Sequence, residues 1–139
     1  LTAAEQALFE VGAAQYAAIC AACHQPNGQG LTGVAPPLAG SEWVTGDPQI
    51  PLAVVLHGLI GPVSVQGQDW NMVMPGLGAV PGLLDDEKLA GIVTYIRRSW
   101  GNQSSAVTAA EAGRLRSKLA DRKQPWTASE LKALPATQP

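Results

Sequence analysis

Two thiols and an imidazole within five residues, Cys20-Ala21-Ala22-Cys23-His24, constrain this chain more than anything else in it. On one helical turn, residues i and i+3 face the same way. Both sulfurs of such a pair reach the two vinyl groups along one porphyrin edge, and the adjacent histidine sets a ring nitrogen on the iron. Cys-x-x-Cys-His is the sequence signal for covalent c-type haem attachment. The expected cofactor is one haem c, bound through Cys20 and Cys23, with the rest of the chain as its wrapper. Two other chemistries use a Cys-x-x-Cys pair. A thioredoxin-type dithiol wants a βαβ context, whereas the segment before Cys20 is alanine-rich and helical in pattern. A zinc site wants two more soft ligands. The chain has only two cysteines and two histidines, and the second histidine, His57, lies far downstream.

A length of 139 residues makes one domain. Aromatics are only 5% and much of the 46% hydrophobic content is alanine, so the core is modest; a haem adds apolar surface to pack against. The net charge of −2 and the absence of a basic stripe argue against nucleic acid as a partner. No apolar run approaches the roughly 18–20 residues of a transmembrane helix. The chain opens at Leu1 rather than methionine, which fits a mature exported product or a domain of a longer protein. Covalent haem attachment takes place outside the bacterial cytoplasm, so the expected location is the periplasm.

The spacing predicts a helix over 3–22, opened by a Thr2–Glu5 capping box, with Leu8, Phe9, Gly12, Tyr16 and Ile19 on one face. Residues 25–47 are dense in glycine and proline and read as irregular loop. Asp47-Pro48 opens a second helix that closes at Gly58. Residues 59–84 return to loop, with 63–65 and 68–70 flanking Gln66-Gly67 as a small hairpin. A third helix runs from Asp85 to about Trp100, with Leu89, Ile92, Val93 and Ile96 inward, and Gly101-Asn102 stops it. Capping boxes at Thr108–Glu111 and Thr127–Glu130 head two more helices, and residues 135–139 should fray.

Iron held by His24 needs a second axial ligand. The chain has two methionines, Met72 and Met74. Met74-Pro75 is the better candidate, because proline pushes the preceding residue towards an extended backbone and steadies a thioether on an otherwise unsupported loop. Met72, His57 or an open iron are the alternatives. Met/His ligation raises the reduction potential, and a closed six-coordinate site favours electron transfer over catalysis.

In this order the haem motif, the loop and the Met-Pro pair resemble the class I c-type cytochromes, over about residues 5–102. The resemblance implies an all-α class I fold around one covalent haem, with a small β-hairpin in the 59–75 loop and a C-terminal helical extension. It divides the chain into a haem domain at 1–103 and an extension at 104–139 packed on the same domain. Pro36-Pro37-Leu38 is similar to the family's Gly-Pro-x-Leu segment, which implies that the Pro36 carbonyl orients His24; Ala35 replaces the family's glycine. Gly12 and Tyr16, with Tyr95, resemble the family's crossing of first and last helices. Residues 54–102 and the run Asp121-Arg122-Lys123-Gln124-Pro125-Trp126-Thr127 are similar to cytochrome c domains of bacterial quinoprotein alcohol and sugar dehydrogenases. Trp70 stands where such domains often carry a tyrosine, which implies that it caps the haem edge and donates to a propionate.

The combined reading is a monohaem, outer-sphere one-electron carrier rather than an enzyme. Its expected partners are redox proteins: a dehydrogenase donor, and an oxidase or another cytochrome as acceptor. The rivals are a haem enzyme or gas sensor with a labile Met74, and an electron-transfer domain of a larger dehydrogenase or oxidase. Among the other polar residues, His57 is expected to make a structural hydrogen bond, with a propionate partner or a pH-sensitive group as alternatives and the helix C-terminus favouring its charged form, and Arg97 and Arg98 to lie on a solvated face. Trp43, Trp70 and Trp100 are candidates to line the haem pocket. Trp126, with Pro125, is expected to pin the extension to the core.

Overall fold

The computed structural model describes residues 1–78 and 80–135; residues 136–139, most of the segment expected to fray, lie outside that description. The chain is mostly helical. Helix α1 (Ala3–Gln15) starts on the expected capping box, with Thr2 Oγ1 accepting from the Glu5 N–H and the Glu5 carboxylate from the Thr2 N–H. It passes into a π-helical turn (Tyr16–Cys20) and then α2 (Ala21–His24). The π-turn is invisible to periodicity because the spacing on either side still fits an ordinary helix; such turns recur beside functional sites.

Helix α5 (Asp86–Arg98) is the centre of the fold. Its Leu89, Ile92, Val93 and Ile96 are all buried, as their spacing predicts. It crosses α1 with two glycines face to face. A Cβ on Gly12 would stand 1.8 Å from the Gly91 carbonyl oxygen, and one on Gly91 would stand 2.8 Å from that of Leu8. Only hydrogen fits at this contact. Phe9, Tyr16, Tyr95 and Trp100 fill the flank, with ring centroids 5.1–5.6 Å apart.

The loop expected over 25–47 contains a short helix, α3 (Glu42–Thr45), capped by Ser41; four residues are too few to show a period. Helix α4 (Gln49–His57) follows, with the Asp47 carboxylate accepting from the Gln49 N–H at 2.9 Å, and it ends at Gly58 in the left-handed region. The hairpin of β2 (Val63–Val65) and β3 (Gln68–Trp70) turns through Gln66 and Gly67, both at positive φ. The Glu42 carboxylate accepts from the Gln66 N–H, and Trp43 Nε1 donates to the Ser64 carbonyl at 2.8 Å. A second strand pair is a correction to the loop expected over 59–84. Strand β1 (Gly58–Leu59) pairs antiparallel with β4 (Met74–Pro75), which gives the Met-Pro segment sheet support.

Helices α6 (Ala109–Lys118) and α7 (Ala128–Lys132) start on the two predicted capping boxes. Val107, Ala112, Leu115, Trp126 and Leu131 join the cluster built on α4 and α5, so residues beyond 103 share one core with those before it.

Candidate functional site

An apolar cavity, with about 1090 Å³ free of protein atoms and part of that open to solvent, lies among the helices and the two strand pairs. Cys20, Cys23, His24, Pro36, Trp70 and Met74 all line it. The sequence placed these six in one site, and the fold brings them together. Its remaining wall is almost wholly hydrocarbon, from residues such as Val44, Val55, Leu59, Val65 and Ile96.

His24 is buried at 8% exposure, and its Nδ1 lies 3.0 Å from the Pro36 carbonyl oxygen. A carbonyl only accepts, so Nδ1 carries the proton and Nε2 is left with the lone pair of the neutral ring. Burial holds the imidazole below its usual pKa, with the Pro36 carbonyl pulling the other way. Burial also pushes the Cys20 thiol up to about 11, with the neighbouring Cys23 adding to the shift. Cys23 is exposed. The Tyr16 hydroxyl donates to the Gln25 carbonyl at 2.6 Å and closes the segment around the motif. Among the described residues, no group of three or more His, Cys, Asp or Glu side chains gathers to hold a metal ion.

Met74 is half-buried at the cavity wall on β4, paired with Leu59. Met72 also borders the cavity but is 39% exposed, and Val73 between them is 72% exposed.

The chemistry of this lining suits a haem. Two thiols and a neutral imidazole stand at one part of an apolar cavity, and a soft thioether stands at another. The indole N–H of Trp70 is buried and has no partner among the described residues. An orphan donor beside an apolar cavity costs about 1–3 kcal/mol, and an acceptor such as a haem propionate removes that cost.

Trp43 and Trp70 line the cavity, but Trp100 does not. It packs against Gly28 and donates from Nε1 to the Pro26 carbonyl at 3.0 Å, closing the loop after the haem motif from outside. Arg97 is not on a solvated face: it is buried at 2% exposure. Its guanidinium donates to the carbonyls of Val44, Gly46 and Ser105 and to the Ser105 hydroxyl, tying the cavity-lining end of α3 to α5. Burial lowers its pKa, while the charges of Asp47 and Glu111 oppose that shift. His57 is held below its usual pKa, contrary to the helix-end argument. Burial is the largest cause, the Arg122 and Lys123 charges add to it, and the Leu119 carbonyl opposes them. Trp126 does pin the extension: it is 4% exposed, Nε1 donates to the Ala53 carbonyl, and the Arg122 guanidinium stacks 3.5 Å above the ring.

The sequence marks Asn102 only as part of a helix stop. It is buried, accepts from the Gly40 N–H and donates to the Leu38 and Ile96 carbonyls, bracing the loop just beyond Pro36. An asparagine directly after a glycine stop gives no sequence hint of contacts so far back along the chain.

The cytochrome c family model matches residues 9–100. Cytochrome c-552 of Thermus thermophilus is 36% identical over 134 residues, covering 85% of this chain and 88% of that protein. The cytochrome c subunit of a quinone-type alcohol dehydrogenase from Gluconacetobacter polyoxogenes is 38% identical over 76% of this chain, which spans 22% of that subunit. A gluconate 2-dehydrogenase cytochrome c subunit from Pantoea cypripedii is 37% identical over 77% of this chain and 24% of its own length.

Proposed function

The chain belongs to the cytochrome c family, whose cofactor is covalent haem c, and from that premise we propose a monohaem electron carrier with His24 and Met74 as axial ligands. The observation that carries this reading is that His24, oriented by Pro36, and the thioether of Met74 border one apolar cavity. The haem, when bound, supplies a one-electron ferric–ferrous couple. The chain's own residues do the rest. Cys20 and Cys23 would attach the porphyrin, and Pro36 holds the ring of His24 with Nε2 free to ligate. Met74 supplies a weak soft donor that favours the reduced state. Trp70 would donate to a propionate, and the hydrocarbon wall excludes water.

The proposed arrangement is a haem domain at 1–103 with an extension at 104–139 packed on it, working in the periplasm. No helix among the described residues is long and apolar enough to cross a membrane. The proposed donor is a periplasmic dehydrogenase and the acceptor a respiratory oxidase or cytochrome. Similarity to dehydrogenase cytochrome c subunits of which the chain spans only 22–24% supports a second reading, an electron-transfer module of such an assembly.

Met74→Ala tests the ligand. The wild-type holoprotein should show a low-spin ferrous spectrum, the weak far-red ferric band of an iron–sulfur(Met) bond, and no reaction with carbon monoxide. The variant should lose the band, bind carbon monoxide and fall in reduction potential. A wild type that binds carbon monoxide readily points instead to a haem enzyme or gas sensor. An unchanged band in the variant excludes Met74 as the ligand.

A further inference from the structure

We infer that the C-terminal extension is a positioning device for the axial methionine, with Trp126 as its anchor; the inference rests on the assignment of Met74 as ligand. Met74 sits on a two-residue strand whose partner, β1, is equally short. An isolated pair of this length has little stability in water. A third stretch of chain completes it. The Trp126 N–H donates to the Gly58 carbonyl at 2.9 Å, and the Ile60 N–H donates to the Trp126 carbonyl at 2.9 Å. Leu59 therefore bridges Trp126 on one side and Met74 on the other. The result is a three-stretch ribbon with the Met74 segment on one edge and the extension on the other.

Trp126 is fixed more firmly than either neighbour. Its ring is buried, bonded to the Ala53 carbonyl at 3.0 Å and covered by Arg122, which also bonds the Gln124 and Pro125 carbonyls and the Glu130 carboxylate. The extension also reaches the cavity directly: Leu131, 1% exposed on α7, is part of its wall. Residues 104–135 lie beyond the 9–100 matched by the family model, yet they anchor the far edge of β1, the strand on which Met74 is registered. A methionine held this way leaves the cavity wall only by breaking its pairing with β1 or by pulling β1 from an anchored tryptophan.

The test uses full-length holoprotein and three variants. Trp126→Ala removes the anchor, Trp126→Phe keeps a ring under Arg122 but loses the Ala53 bond, and Leu115→Ala truncates the same core from α6 at a residue that neither pairs with β1 nor lines the cavity. All are compared at equal distance below their own unfolding midpoints, by the far-red ferric band across pH and by the rate of carbon monoxide binding to the ferrous protein. Removing a group that orients a metal ligand commonly costs 10–100-fold. Trp126→Ala should therefore bind carbon monoxide at least about tenfold faster than wild type and lose its band at lower pH. Trp126→Phe should fall between the two, and Leu115→Ala should match wild type. Should Trp126→Ala fail to fold, the Phe variant carries the comparison. Equal behaviour of the Trp126 and Leu115 variants reduces Trp126 to a stability residue and overturns the inference. A wild type that lacks the band overturns the Met74 assignment, and the inference with it; a wild type that has it isolates failure to the brace.

Discussion

The two sides of the cavity are built by different means. On the histidine side, five consecutive residues carry both thiols and the imidazole, and the helix holding them runs on from α1. Its orienting partner, Pro36, is reached by a short loop. On the methionine side, the thioether stands on a two-residue strand whose support comes from β1 and, through it, from Trp126. The first side is fixed by local geometry and one helix crossing. The second is fixed by contacts between segments far apart in the chain, which cost more entropy to close and open more easily. A carrier ligated as proposed needs both ligands in place in both oxidation states, so the methionine side is where that ligation would be most vulnerable.

The largest effect is expected where the histidine side depends on one contact. Gly12→Val puts a branched side chain where even a Cβ would lie 1.8 Å from the Gly91 carbonyl. Backbone, not a flexible side chain, must then move. The crossing of α1 and α5 should separate at a cost of about 3 kcal/mol or more, with loss of cooperative unfolding and of holoprotein. A variant with wild-type melting behaviour would show that the crossing does not carry the histidine side.

That crossing also marks what the sequence made legible. Gly12, Tyr16 and Tyr95 were readable as its components, but Gly91 was not, since a lone glycine within a helical pattern only lowers helix propensity. The helices of the extension were readable because each has a capping box, a local signal with its own hydrogen bonds. The hairpin was readable from Gln66-Gly67 between alternating residues. The β1–β4 pair was not: two residues cannot display a period. Arg97 shows the opposite failure. An arginine near a helix end is expected to be solvated, but here three carbonyls and a hydroxyl satisfy its donors in the interior. The site itself was legible because its chemistry requires particular residue types. The supports behind it, Asn102, Arg97 and the Trp126 ribbon, act through backbone groups, which any sequence supplies.

A smaller effect should sharpen the comparison from the loop behind Pro36. Asn102→Ala takes the side-chain donor from the buried Ile96 carbonyl, the acceptor from the Gly40 N–H, and one of two donors from the Leu38 carbonyl, which keeps its bond from Ser41. Unsatisfied buried groups cost about 1–3 kcal/mol, so chemical denaturation should show a loss of about 2 kcal/mol at unchanged m-value. The far-red band should survive, because among the described residues no hydrogen bond joins the methionine ribbon to this loop. Loss of the band at unchanged stability would mean that the two sides are coupled more tightly than their contacts indicate.

The smallest effect concerns pH and belongs to the methionine side. His57 ends α4 beside the ribbon, with its ring 6.3 Å from that of Trp126. Arg122 and Lys123 face it as like charges, and the Leu119 carbonyl as an acceptor. Its pKa in the folded protein lies below the ordinary 6.5. Between those two values the unfolded chain binds more protons than the folded one, so stability rises with pH across that window. The full stability is present above pH 6.5 and is lost progressively as pH falls towards the folded value, after which His57 contributes no further slope. His57→Gln removes the titrating group while keeping an amide able to bond the Leu119 carbonyl. Melting temperatures measured from pH 7.5 to 5 should fall less steeply for the variant, by less than the slope of one full proton. The carbon monoxide reactivity of the wild type should rise over the same window, because the charge repulsion is directed at Arg122, the residue that covers Trp126. Identical pH slopes in the two proteins would show that His57 titrates alike in the folded and unfolded chain, and a carbon monoxide reactivity that stays flat across the window would show that it is a bystander to the ribbon.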